Sequence, residues 1–477
     1  MGMIAVVVAA AVSVDFGAAA GKIRPELHSS GFGPQICSCP QSSIDAIKSM
    51  GFKASRTHDW ALINPNQRVC DYFHIFPLMH LDAKDPKNYV FGPTDYLFKR
   101  TREELGHEIF FRLGTSIEHS GPRVHFNTLI PDDFDKVAEV FAGTMRHYNR
   151  GWANGHEWGI KYWEIWNEPD GFNNMWCLPD GDGGRGATPE EEKADYRART
   201  DLRNARFAKF FVTCLKRLKA EFPEAKIGGP ALCSMNTNYF GMLFRECKAA
   251  GVAPDFISWH HYTSKPEVIM GAVERGRSLC DSYGFKSCEL IVDEWHYFGD
   301  YSWADLRSPD PEILGRVWSG PASHNGIDSS CFNLTMLTKF QSSALDQAYY
   351  YGCRNIGSWG FMDERKQKYK VYYGLKMFGD FIKGRPEMCR ASSEDDGVSV
   401  IAAKGADGSS KAFIVADYRS KAREIVVDVK GVAPDAAARV TIHDHERDLE
   451  PAEARLEGGR LVLEKKDENS AAFLVEL

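Results

Sequence analysis

Short strand candidates recur along the chain at 26–31, 53–59, 108–114, 160–168, 226–232, 256–262, 289–295 and 355–361, several of them apolar through most of their length. Runs that are apolar on both faces suit strands of a parallel sheet covered on both sides, and the stretches between them carry helical periodicity. Ser42 or Ser43 can cap a helix whose apolar residues Ile44, Ile47 and Met50 end at Gly51. Asp132 or Asp133 opens another, with Phe134, Val137, Val140 and Phe141 on one stripe. Phe207, Phe210, Phe211, Cys214, Leu215 and Leu218 repeat the pattern before Pro223. Eight strand-then-helix units predict an α/β fold, a (β/α)8 TIM barrel over residues 26–385.

After Pro386 the texture changes. Alternating runs at 398–403, 411–416, 424–429, 438–442, 460–463 and 471–475, separated by turn residues, predict an accessory β-sandwich over 386–477. Residues 1–25 are read as a strand joining the edge of that sandwich, because the Val-rich run leads directly into Ser13-Val14-Asp15-Phe16. The competing reading is a signal peptide ending near Ala18–Ala20, but no Lys or Arg precedes the run. The strand reading implies a cytoplasmic chain, the other a secreted or periplasmic one. No other segment approaches the ~20 apolar residues that cross a bilayer, so no membrane partner is expected.

Composition narrows the function. The 477 residues are 43% hydrophobic and 26% charged, as in a large globular enzyme. A net charge of -7 argues against a nucleic-acid partner. The 12 cysteines are scattered, and Cys37 and Cys39 lack the second pair or histidine spacing of a zinc site, so reduced thiols are expected. The Gly-rich run 181–186 has no helix at the spacing of a phosphate cradle. Long gaps at 60–95, 170–195 and 296–330 follow strand candidates, where a barrel carries its functional loops.

Two carboxylates stand where buried runs emerge: Glu168 in Trp-Glu-Ile-Trp-Asn-Glu-Pro-Asp (163–170) and Glu294 in Ile-Val-Asp-Glu-Trp (291–295). A pair of carboxylates facing one pocket is what hydrolysis of a glycosidic bond requires. Trp-Asn-Glu-Pro at 166–169 and Val-Asp-Glu-Trp at 292–295, with Arg-Thr-His-Asp at 56–59 and His-His-Tyr at 260–262, resemble glycoside hydrolase family 39, in the retaining (β/α)8 clan. The resemblance covers about the full chain and implies a barrel flanked by a sandwich.

It also implies that Glu168 is the general acid/base and Glu294 the nucleophile of a double displacement. By the same resemblance Tyr262 hydrogen-bonds the nucleophile, His260 is an active-site histidine, and Trp359, on the eighth strand, is a platform under the sugar. Arg56 is the candidate cation for keeping Glu294 ionised, and His58 alternates with it on the same face. Asn167 is expected to hold the sugar 2-hydroxyl, and Trp163 or Trp166 to help Glu168 keep its proton. The resemblance implies an exo-acting β-xylosidase-like enzyme on an oligosaccharide or glycoside, and no cofactor or metal is expected. Alternatives are an α-L-iduronidase-like or anionic-glycan hydrolase, for which the basic run 365–368 would grip an anion, and a non-catalytic carbohydrate-binding barrel. Glu118 and His119, past the third strand, receive no role, and an oligomer is compatible with the sequence.

Overall fold

The computed structural model describes residues 9–32, 41–60, 68–116, 128–171, 175–179, 186–353, 359–363 and 365–477. After an N-terminal strand β1 (Ala9–Lys22), eight parallel strands close a barrel in sequence order: β2 (Ser29–Phe32), β3 (Ala54–His58), β4 (Glu108–Leu113), β5 (Tyr162–Ile165), β6 (Lys226–Leu232), β7 (Phe256–Thr263), β8 (Glu289–Tyr297) and β9 (Gln347–Tyr350). Helices follow these strands at Gln41–Ser49, Gly92–Arg100, Phe134–Arg150, Pro189–Glu221, Thr237–Ala249, Pro266–Ser282, Ile327–Gln341 and Lys370–Ile382.

The helix termini obey local chemistry. Asp133 caps Phe134–Arg150 by accepting from the Lys136 N–H, and Gly151, with φ 65°, ends it. The helix at Gln41–Ser49 begins before Ser42 and Ser43, so neither serine is its cap. Phe207, Phe210, Phe211, Cys214, Leu215 and Leu218 form the buried stripe of Pro189–Glu221.

One barrel strand departs from expectation. The eighth is β9 at Gln347–Tyr350, pairing with β8 and β2, not the run at 355–361. Residues 355–358 lie outside those described, and Trp359 stands in a turn. Four residues beginning with Gln347 carry too little apolar signal to stand out, although all four are buried. Cys37, Cys39, Glu118, His119 and residues 181–185 of the Gly-rich run also lie outside the described residues. Of the ten described cysteines, nine are buried.

The remaining strands, β10 (Glu387–Ser393), β11 (Val398–Lys404), β12 (Lys411–Asp417), β13 (Glu424–Lys430), β14 (Arg439–His443), β15 (Asp448–Ala452), β16 (Arg460–Glu464) and β17 (Ala471–Glu476), form a sandwich-like mixed sheet with β1. Its order is β15-β14-β17-β12-β11-β10-β1-β13-β16, which places β1 inside the sheet, not at its edge. β1 is antiparallel to β10 and parallel to β13, and Ala10, Val12, Val14 and Phe16 enter a core with Phe413, Ile425, Val427 and Phe473. Arg419 ties this sheet to the barrel, donating from Nε to Asp328 at 2.7 Å and from Nη2 to Tyr297 Oη at 2.8 Å.

The barrel interior is layered. Ala54, Phe110, Phe256, Ile291 and Tyr349 form an apolar floor with Tyr162. Two residues further along three of these strands stand Arg56, Ser258 and Asp293, all fully buried.

Candidate active site

A buried arginine organises the site. The Arg56 guanidinium donates from Nε to Glu164 Oε2 at 2.7 Å, from Nη1 to Glu294 Oε1 at 2.9 Å and from Nη2 to Asn167 Oδ1 at 2.7 Å. Nη2 also lies 3.0 Å from Asp293 Oδ2. Burial disfavours its charge, yet Glu164, Asp293 and Glu294 outweigh that cost and raise its pKa. The planar fork suits this multiple pairing in a way an ammonium would not.

Asp293 and Glu294 are consecutive, and in a regular strand they would face opposite sides. A β-bulge resolves this: Trp259 pairs with Val292 but His260 pairs with Glu294, leaving Asp293 as the extra residue. Both carboxylates therefore reach Arg56.

Glu294 is held from both sides. Tyr262 donates its hydroxyl to Oε2 at 2.6 Å, and His58 Nε2 is 3.7 Å from Oε1. Arg56 divides its charge among several carboxylates, so it does not keep Glu294 at an ordinary carboxylate pKa. Burial, assisted by the facing Glu168, raises Glu294 to about 7 against the pull of His260 and Arg56.

Glu168 lies beyond the end of β5, on a turn with positive φ at both Trp166 (79°) and Glu168 (48°). Such backbone costs on the order of 1–3 kcal/mol per residue and is tolerated where surrounding contacts over-determine it. Here the Trp166 N–H donates to Leu113 and the Glu168 N–H to Ala231. The Trp163 and Trp166 rings do not flank the carboxyl: Trp163 stacks on Phe111, and Trp166 packs edge-on against Trp176 and Phe210 under the helices. The Cys233 thiol, its pKa pushed up by burial and by Glu168 and Asp170, is a neighbour instead.

His260 joins the pair. Its Nδ1 is 2.7 Å from Glu168 Oε1 and 3.4 Å from Glu294 Oε2, while Nε2 is 3.3 Å from Asp293 Oδ2. Burial opposes its protonation, but Glu294, Asp293 and Glu168 prevail and hold its pKa well above the usual value. His58, buried near Arg56, Arg112 and His260, is driven the other way and stays neutral.

No family model matches the sequence. A β-xylosidase of Geobacillus stearothermophilus is 23% identical over 141 residues, which span 29% of this chain and 23% of that enzyme's length. A glucosidase from Croceicoccus marinus superposes with TM-score 0.71 at 19% identity, covering 98% of this chain and 99% of that one. An α-L-arabinofuranosidase from Thermotoga maritima, in complex with arabinose, gives TM-score 0.63 at 13% identity, covering 98% and 100%. The fold is that of the glycoside hydrolase barrels.

An aromatic wall stands beside the carboxylates. Trp359 lies 5.9 Å from the Tyr262 ring, edge-on to His324 at 4.6 Å, and stacks on half-exposed Trp303. His324 stacks in turn on His296 at 4.1 Å. Trp359 thus reaches the site from a turn instead of a strand. The basic run 365–368 is exposed, with Lys368 over the Tyr372 ring at 4.5 Å. A cavity of about 780 Å³ between Ser264–Glu274 and Arg419 is lined by neither carboxylate.

All eight sequence-predicted site residues therefore converge. Glu164, Asp293, His296, His324 and Trp303 were not singled out. A signal existed for two of them: an acidic residue within a run buried on both faces is rare unless it is paired, and Glu164 and Asp293 are such residues. His324 and Trp303 come from the long 296–330 loop, which has no periodicity to place them.

Proposed function

We propose that the chain is a retaining O-glycosyl hydrolase of family 39 type, an exo-acting β-xylosidase-like enzyme, with Glu294 as nucleophile and Glu168 as acid/base. One relationship carries the proposal: a single nitrogen, His260 Nδ1, neighbours an oxygen of each carboxyl, at 2.7 and 3.4 Å. Those oxygens are thus no farther apart than about 6 Å, which is compatible with the ~5–5.5 Å at which retaining enzymes hold their carboxyls.

In this mechanism Glu294 Oε attacks the anomeric carbon as the glycosidic C–O bond breaks, and Glu168 delivers its proton to the departing oxygen. A glycosyl ester on Glu294 results. Glu168, now a base, takes a proton from water, whose oxygen displaces Glu294 and restores the starting configuration. The Tyr262 hydroxyl and the Arg56 guanidinium stabilise the Glu294 carboxylate as attacker and as leaving group. Asn167, its Oδ1 engaged by Arg56, can turn its amide nitrogen to the sugar 2-hydroxyl.

The β-xylosidase relative favours a xyloside. The test is a panel of aryl β-xyloside, β-glucoside, β-galactoside, α-L-arabinofuranoside and α-L-iduronide. Highest kcat/KM on the xyloside is expected. Preference for another sugar removes the substrate assignment, and no turnover of any member removes the enzymatic one.

A further inference from the structure

A second cluster of chemistry lies away from the carboxylates. Asp95 is in the first turn of Gly92–Arg100, His147 in the last turn of Phe134–Arg150, and His156 in the loop that leads to β5. One ligating atom from each falls within 4.8 Å of the others. His147 Nε2 is 3.0 Å, and His156 Nε2 3.7 Å, from the same oxygen, Asp95 Oδ1. The cluster stands where the chain enters β5, whereas Glu168 follows the strand's exit.

The tautomer of His147 is the decisive detail. Its Nδ1 lies 3.0 Å from the Trp152 carbonyl, so Nδ1 carries the proton and donates it. A neutral ring then presents the Nε2 lone pair to a carboxylate oxygen, two acceptors face to face. A positive centre, either a proton on Nε2 or a bound cation, must stand between them. Histidine anchored through Nδ1–H to a backbone carbonyl, with Nε2 turned to a shared point, is the outer arrangement of metal-bound histidines.

Both rings are also fixed before any ion arrives. Phe91 stacks on His147 at 3.6 Å and Trp158 on His156 at 3.9 Å, each within 10° of parallel. The His156 N–H donates to the His147 carbonyl, folding the loop back on the helix. Glycine is required at 155: a Cβ there would meet the His147 carbonyl oxygen at 2.1 Å. Asp95 and His156 are partly exposed, which leaves a path for an ion and for a completing water.

We propose that Asp95 Oδ1, His147 Nε2 and His156 Nε2 bind a Zn2+ ion that ties the helix after β3, the helix after β4 and the β5 approach together. Two imidazoles and one carboxylate, with a water in the fourth place, match the tetrahedral preference of zinc, and ligand bonds of about 2 Å fit the nitrogen-to-oxygen separations of 3.0 and 3.7 Å. Lys99 and Arg102 place positive charge near His156, which moderates the affinity.

The test is titration of the full chain, stripped with chelator, with Zn2+ and separately with Co2+, against Asp95→Asn and His156→Gln. Expected are one ion per chain, a rise in Tm with Zn2+, and Co2+ d–d bands without a thiolate charge-transfer band. Each variant should lose more than the ~10–100-fold in affinity that follows removal of an outer partner, with its metal-free Tm staying close to that of the stripped wild type. Absence of binding, a thiolate band, or affinity kept in both variants overturns the site and leaves a proton between Asp95 and His147.

Discussion

His260 Nδ1 lies 2.7 Å from Glu168 Oε1, and the same imidazole is close enough to Glu294 to lower that carboxyl's pKa. A charged histidine here neutralises part of a site that packs several carboxyls together. Glu294 must be ionised to attack, so kcat/KM should fall as pH drops below about 7, the value to which burial raises it. His260→Asn removes the stabilising cation, and the acid limb should then move to higher pH. A pH–rate profile on an aryl glycoside measures this, and an unmoved limb would contradict the coupling.

Glu168→Ala separates the acid role from mere binding. Loss of the proton donor should slow glycosides with poor leaving groups by about 10²–10⁴-fold, and aryl glycosides with acidic phenols far less in the glycosylation step. Kinetics on a natural disaccharide and on a dinitrophenyl glycoside measure the split. Equal losses on both would count against an acid at this position.

Much of the barrel was legible because its strands are buried on both faces, and stretches such as 109–111 and 290–292 are wholly apolar. Gln347–Tyr350 escaped because four residues generate no period. Arg56 alternates with His58, and His260 with Tyr262, and all four side chains lie near Glu294. What the sequence could not carry was the bulge at Asp293, which depends on the register between β7 and β8 and brings two consecutive carboxylates to one arginine. The Asp95, His147 and His156 cluster was equally hidden, since 52 residues separate its first two members and no spacing rule joins them.

Arg56 holds the interior together as well as the site. Arg56→Met strands Glu164, Asp293 and Glu294 in a buried setting, and should destabilise the fold by about 3–5 kcal/mol. Urea unfolding compares it with wild type. A cost under ~1 kcal/mol would mean that these carboxyls protonate without penalty when the cation is gone.

His28 supplies acid lability. It is fully buried, its Nε2 lies 2.7 Å from the Met50 carbonyl, and burial lowers its pKa from 6.5 to about 4. Between those values the unfolded chain binds a proton that the folded chain does not, so stability rises with pH across the window and is lost as pH falls from 6.5 towards 4. Relative to His28→Gln, the stability advantage of wild type should shrink by about 1.4 kcal/mol per pH unit there. Urea unfolding at pH 7, 6 and 5 checks it, and a constant difference would contradict a neutral buried imidazole.

The covalent step on Glu294 is the centre of the mechanism and can be caught directly. Incubation with a 2-deoxy-2-fluoro-β-xyloside carrying an activated leaving group, followed by peptide mass spectrometry, should show one fluorosugar per chain, esterified to the peptide holding Glu294 and absent in Glu294→Ala. A label on another residue, or rapid turnover of the reagent to an inverted product without a covalent species, would contradict the proposed double displacement.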